Sequence, residues 1–255
     1  REPRIIAHRG FSEIAPENTI AAIEAAIGAG ADGVEFDLQP CADGVPVLFH
    51  DDTLERTTGV EGLVREAPLV DLQALDAGRW FSEAHAGEGI PTLGQALDLI
   101  AGATEWEGTV FPELKGPVPL PLAQRVAEAL LDRGMADRTV LISLDWKPLE
   151  WIRLAFPEIR VGFAVSQSQD VLEAMALCAA REGDVLDPDR RILLARPEVA
   201  ERARQAGIPL ACWTVDDPAE ANLLARMGVS DLTTNRVNRL LEWRQDQALR
   251  GASEG

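Results

Sequence analysis

The stretch Gly-Val-Glu-Phe-Asp-Leu at positions 33–38 alternates apolar and acidic side chains with a period of two. Successive side chains of a β-strand point to opposite faces, so Val34, Phe36 and Leu38 share one face and Glu35 and Asp37 the other. In a barrel strand the apolar set packs under the surrounding helices, which directs the two carboxylates into the barrel near its C-terminal mouth, where catalytic groups collect. The stretch Thr-Val-Phe-Pro-Glu-Leu-Lys at 109–115 repeats the device, turning Glu113 and Lys115 inward and Pro112 and Leu114 outward.

Working outward, apolar β-branched runs are expected as strands at 4–8, 33–38, 109–113, 139–143, 159–163, 183–186, 209–215 and 230–234. Helical periodicity falls between them at 18–29, 93–101, 119–133, 147–156, 170–180, 197–206, 218–227 and 236–249. Eight such repeats in 255 residues favour an α/β fold of the closed (β/α)8 TIM-barrel type over an open doubly wound sheet, because closure leaves no edge strand to protect. No linker or charge block divides the chain, so one domain over 1–255 is expected. The rhythm breaks once, after the second strand, where an insertion over about 39–91 carries a further strand-like run at 45–50. A long insertion on a βα-loop belongs to the active-site face and is expected to cap the site. The acidic tail at 251–255 is expected to fray.

The composition, 46% apolar and 26% charged, is ordinary globular composition and excludes disordered and fibrous classes. With 24 basic against 42 acidic residues the net charge is −18, which repels nucleic acid and anionic membrane surfaces. An anionic substrate would therefore need local cations or a bound metal to reverse the field at the site. Cys41, Cys178 and Cys212 show no CxxC or CxxH spacing and read as reduced thiols. No apolar run approaches the ~18 residues of a membrane span, and the opening Arg-Glu-Pro-Arg lacks the apolar region of a signal peptide. A cytoplasmic protein is expected, although a processed chain would read the same.

Two inward carboxylates side by side repel each other unless something neutralises them. A divalent cation would do so, since hard cations prefer carboxylate oxygen, and Glu113 would add a third oxygen. Salt bridges from barrel lysines or arginines are the alternative. Lys115 is one of only two lysines, which suggests a chosen point charge beside the metal, or a simple partner for Glu113. His8 and His50 close strand-like runs and so sit at the mouth, where a pair of imidazoles can exchange protons near neutral pH. Taken singly, either also reads as a structural histidine. His85 reads as surface loop. Arg9 can offer a planar fork to two phosphate oxygens. Trp213 would stack on a substrate or wall the pocket, and Trp80 and Phe81 would shape its entrance, with plain core or cap packing as the alternative for all three.

Taken in order, Ala-His-Arg-Gly (7–10), Ala-Pro-Glu-Asn-Thr (15–19), Val-Glu-Phe-Asp (34–37), Asp-Gly-Val-Pro-Val (43–47), His-Asp-Asp-Thr-Leu-Glu-Arg-Thr-Thr (50–58), Ile-Pro-Thr-Leu (90–93), Glu-Leu-Lys (113–115) and Trp-Thr-Val (213–215) resemble the glycerophosphodiester phosphodiesterases. The resemblance spans residues 5 to 240. It implies a barrel enzyme hydrolysing small glycerophosphodiesters to glycerol 3-phosphate and an alcohol. It further implies Mg²⁺ or Ca²⁺ on Glu35, Asp37 and Glu113, with His8 and His50 as the acid–base pair. Arg9 and Lys115 would then hold phosphate oxygens. Glu17 and Asn18 would brace the His8 loop, with Asn18 or Thr19 capping the first helix. In related enzymes a substrate hydroxyl beside the phosphate attacks first, giving a cyclic phosphate; direct attack by water is left open here.

Two positions depart from the family's pattern. Asp216 stands where Asn often follows Trp-Thr-Val, and Asn235 stands where Thr-Asp often closes the last strand. Neither is expected to touch the metal or histidine set. Two rival readings are a phospholipase D-like or phosphatidylinositol-type phosphodiesterase acting on lipids such as lysophospholipids, and a barrel that binds without catalysis. The chain lacks a basic amphipathic segment for the first, and both histidines and all three carboxylates argue against the second. The head group and any homo-oligomer stay open.

Overall fold

The computed structural model describes residues 2–253. Among them nine strands form one sheet: β1 (Arg4–Ala7), β2 (Gly33–Pro40), β3 (Pro46–Leu48), β4 (Thr109–Leu114), β5 (Val140–Ser143), β6 (Arg160–Val165), β7 (Val185–Pro188), β8 (Ala211–Cys212) and β9 (Asp231–Thr234). Parallel pairing runs β7-β6-β5-β4-β2-β1-β9-β8, with β3 antiparallel on β2. The remaining gap, between β7 and β8, is bridged singly by Leu186 with Leu210 and by Asp189 with Trp213. The result is a nearly closed eight-stranded parallel barrel wrapped by helices, the TIM-barrel architecture expected from the repeat pattern.

The alternation read from 33–38 holds. Val34, Phe36, Leu38, Val110 and Leu114 belong to the core between strands and helices, whereas Ile6, Phe111, Val140, Ile142, Val185 and Ala211 form a separate cluster. Register places Asp37 level with Glu113, and Glu113 level with Ile142. The helix Leu93–Gly102 shows how the outer layer is specified. Thr92 and Gln95 form a reciprocal capping box, and Leu93, Ala96, Leu97 and Ile100 are buried at helical spacing. On the helix Ile20–Gly28 the cap is Thr19, which accepts from the Ala22 amide.

Three expectations are corrected. The strand expected over 209–215 is regular only at β8. Around it Pro209 and Trp213 bond singly toward β7 (3.0 and 3.4 Å) and Val215 singly toward β9 (2.8 Å), so the ladder is interrupted; Pro209 also has no N–H to give. A helix not expected from periodicity, Arg190–Ala195, follows β7. The last helix, Val237–Ser253, runs through most of the tail expected to fray, while residues 254 and 255 lie outside the described residues.

Residues 41–92, between β2 and the helix Leu93–Gly102, hold β3 and the short helices Glu55–Thr58 and Leu69–Gln73. They have a core of their own, built from Val47, Phe49, Leu54, Val64, Leu72 and Ile90. The three cysteines are free and buried, and no described helix is long and apolar enough to cross a membrane.

Candidate active site

β1 ends at Ala7, and the next three residues turn sharply over the mouth. Arg9 has φ 57° and Gly10 φ 77°. A Cβ on Gly10 would lie 2.5 Å from the Ala22 backbone, so only glycine lets this loop lie against the helix Ile20–Gly28. The loop is tied to β2 through the Arg9 amide, which donates to Glu35 Oε2 (2.8 Å), and the Gly10 amide, which donates to the Glu35 carbonyl (3.0 Å). His8 and Arg9 are thereby set beside the carboxylates. Asn18, buried with φ 58°, donates its backbone amide to the Arg9 carbonyl of this loop (3.0 Å), while its side-chain amide donates to Asp37 Oδ2 (2.8 Å) and its Oδ1 accepts from the Asp37 amide (3.0 Å).

Glu35, Asp37 and Glu113 each bring one carboxylate oxygen to within 4.8 Å of the others. The protein supplies too few cations to neutralise them. Arg9 Nε lies 3.2 Å from Asp37 and Lys115 Nζ 3.4 Å, but Lys115 also pairs with Glu113 (3.0 Å) and Arg9 with Glu17 (2.9 Å). Glu35 Oε1 is buried with no partner at all, and Asp37 Oδ1, also without a hydrogen bond, has only the shared Lys115 ammonium at 3.4 Å. Such orphaned oxygens are costly, and three converging hard donors suit Mg²⁺ or Ca²⁺. The residues present therefore fit a divalent cation. The electrostatics agree: burial first, then Asp37 and Glu113, push the Glu35 carboxyl well above the usual range, and burial with Asp37 lifts Glu113 to about 6. Burial would raise Asp37 as well, but Arg9 and Lys115 outweigh it and hold this carboxyl low.

His8 Nδ1 lies 2.7 Å from Asn235 Oδ1. The orientation of Asn235 is decided by Asp216, a carboxylate that can only accept: it takes the Asn235 side-chain amide (2.9 Å) and backbone amide (2.8 Å). Oδ1 of Asn235 must then face His8, which places the imidazole proton on Nδ1 and leaves Nε2 basic, 3.8 Å from Glu35. This overturns the expectation that Asp216 and Asn235 stay clear of the histidines; the two residues orient one of them. Burial, then Arg9, pull His8 down to about 4.

His50 arrives from the insertion. Gln39 donates its side-chain amide to the carbonyls of His50 (2.9 Å) and Asp51 (2.6 Å), and His50 Nδ1 pairs with Asp51 Oδ1 at 2.6 Å. Asp51 is held in turn by Arg56, whose fork also grips Glu17 at 2.9 and 2.7 Å. Glu17 therefore joins the insertion to Arg9.

A cavity of about 210 Å³ is lined by His8, Arg9, Glu35, His50, Glu113 and Lys115 and by Ile142, Leu144, Ala164, Asp187 and Trp213. A larger hollow, about 520 Å³ around Arg4, Arg160 and Asp231, contains none of these groups. Trp80 and Phe81 do not line the site cavity; Trp80 is 42% exposed, and Phe81 packs edge-on against Trp80 and His85. His85 sits in a 3-10 turn at the surface, bonded to Ser82. Sequence reasoning missed Asp187. Its carboxyl is pushed well above the usual range by burial, then by Glu113 and Asp231. The signal was present in Val-Leu-Asp-Pro, but the strand expected over 183–186 stops one residue short of it.

The family model for the glycerophosphoryl diester phosphodiesterase family matches residues 8–239. The glycerophosphodiester phosphodiesterase of Caldanaerobacter subterraneus subsp. tengcongensis is 32% identical over 239 residues, covering 93% of this chain and 96% of that protein. Among solved structures, the glycerophosphodiester phosphodiesterase of Agrobacterium tumefaciens superposes with a TM-score of 0.78 at 29% identity, covering 92% of this chain and 97% of that one. An Oleispira antarctica phosphodiesterase, solved in complex with the product sn-glycerol-3-phosphate, superposes at 0.80 with 28% identity, covering 95% and 96%.

Proposed function

Since the chain belongs to the glycerophosphoryl diester phosphodiesterase family, we propose that it hydrolyses small glycerophosphodiesters to glycerol 3-phosphate and an alcohol in a divalent-metal-dependent reaction. One observation carries this reading: three converging carboxylates, one of them with a buried oxygen that has no partner, lie beside a cavity lined by two histidines whose Nδ1 atoms are held in place. Glu35, Asp37 and Glu113 would hold Mg²⁺ or Ca²⁺. That cation would stabilise charge building on the phosphate oxygens.

The chain's own residues do the rest. Lys115 and the part of the Arg9 fork not given to Glu17 and Asp37 bind phosphate oxygens. His8 Nε2, unprotonated because the imidazole proton stays on Nδ1 and is donated in a hydrogen bond to Asn235, takes the proton of the attacking oxygen, that of water or of a substrate hydroxyl whose cyclic product water then opens. His50, its Nδ1–H held by Asp51, acts as the imidazolium and delivers its Nε2 proton to the leaving alkoxide. Trp213, which lines the same cavity, walls the substrate. We place residues 39–91 as a cap that brings His50 to the mouth, within one domain over 1–255. Three buried unpaired thiols suit a reducing compartment and a cytoplasmic setting.

The test is release of glycerol 3-phosphate from glycerophosphocholine and glycerophosphoethanolamine with Mg²⁺, Ca²⁺ or EDTA. Turnover should need a metal and should fall at least ~100-fold in His8→Ala, the range of a lost general base. Metal-independent turnover, or full activity in the variant, would remove the mechanism.

A further inference from the structure

The cavity contains one carboxyl group that the phosphate chemistry does not use. Asp187, at the end of β7, is 2% exposed and lines the cavity, and its Oδ1 is wholly buried without a hydrogen-bond partner. It lies outside the three-carboxylate cluster. Of the other acidic groups at the mouth, Asp37 faces Arg9 and Lys115, Glu113 faces Lys115, Glu17 faces Arg9 and Arg56, and Glu35, whose Oε1 is also unpartnered, belongs to the three-carboxylate cluster. The arginines that follow Asp187 in the chain are committed elsewhere, Arg190 to Glu220 and Arg191 to Asp189. Among the described residues no cation reaches the Asp187 carboxyl.

Its surroundings specify what would satisfy it. The Trp213 indole Nε1 donates to the Asp187 main-chain carbonyl at 2.9 Å, which ties the ring to the end of β7, and both residues line the cavity. Ile142, Leu144 and Ala164 make the adjoining wall apolar. A buried carboxylate, an indole and an apolar wall together match an alkylammonium group, which needs a counter-charge, a π-face and contact for its carbon atoms. The net charge of −18 adds a second bias, because it opposes substrates with extra negative charge more than zwitterions.

We propose that Asp187, with Trp213 beside it, selects glycerophosphodiesters whose alcohol carries an ammonium group. The proposal rests on the reading of this cavity as the diester site.

The experiment compares kcat/KM for glycerophosphocholine and glycerophosphoethanolamine with that for glycerophosphoglycerol, in the wild type and in Asp187→Asn. The ratio of ammonium to neutral substrate should fall roughly 10-fold or more in the variant, as expected for a lost buried charge contact. An unchanged ratio overturns the proposal: equal losses on both substrates would assign Asp187 to the glycerol moiety they share. Asp187→Ser serves if the first variant melts early. Calorimetric titration with choline alone separates this idea from the functional reading. Choline binding by the wild type that disappears in Asp187→Asn supports the ammonium site even if no diester is turned over, whereas equal binding, or none, sinks it.

Discussion

His8 owes its orientation to a carboxamide where a carboxylate would also fit. Asn235 Oδ1 accepts the Nδ1 proton and Asp216 holds Asn235 in place, so the imidazole has no carboxylate on its Nδ1 side. With its pKa drawn down to about 4, His8 is neutral and able to accept a proton at all pH values above that, and loses this ability as pH falls through it. Exchanging the pair, as Asp216→Asn with Asn235→Asp, keeps the hydrogen bonds and puts a negative charge on Nδ1–H. The acid limb of kcat/KM should move up by roughly 1–3 pH units, the usual effect of an adjacent opposite charge. Asn235→Asp alone sets two carboxylates against each other and should melt below the double variant. A pH–rate profile and a melting curve on the three proteins check both statements. An acid limb that stays put in the double variant would show that His8 is not the base.

At the scale of the element, the insertion reaches the barrel through Arg56, which bridges Asp51 and Glu17 while Asp51 holds His50. Arg56 is close to half exposed, so removing it should cost little global stability, about 1 kcal/mol or less. The effect on activity should be larger, because a small misplacement of His50 is expensive: Arg56→Ala should lose about 10- to 100-fold in kcat. Lysine should rescue poorly, since Glu17 is gripped by both ends of a planar fork. Steady-state kinetics beside thermal melts separate the two effects; equal losses in both would mean that Arg56 only holds the fold. These contacts also mark the limit of what was legible beforehand. The period of two over 33–38 and 109–115 placed Glu35, Asp37, Glu113 and Lys115 because facing is a local property of a strand. The partner of His8 lies 227 residues away, and its role depends on which strands close the barrel. Asp187 went unseen for a smaller reason, a strand end misjudged by two residues where Asp-Pro reads as a turn.

For the whole molecule, the barrel carries at its mouth a local excess of negative charge that folding must tolerate until a cation neutralises it. In the metal-free protein Glu113 holds its proton up to about 6 and Glu35 beyond the usual range, while both would ionise near 4.5 in the unfolded chain. Between those limits the folded state binds more protons than the unfolded one, so stability falls as pH rises from about 4.5 through about 6. A bound divalent cation reverses the cost, because the ionised carboxylates become ligands. Adding Mg²⁺ or Ca²⁺ at pH 7 should therefore raise the melting temperature. At about 100 times the dissociation constant the gain is about 2.7 kcal/mol, which for a chain of this size corresponds to roughly 5–10 °C. Glu35→Gln removes the least compensated of the three charges. It should melt above the wild type in EDTA, yet show little of the metal-induced rise. Calorimetric scans of both proteins, with and without metal, decide the matter: a wild type indifferent to EDTA would mean that Arg9 and Lys115 suffice to hold the three carboxylates, and the metal reading would fall.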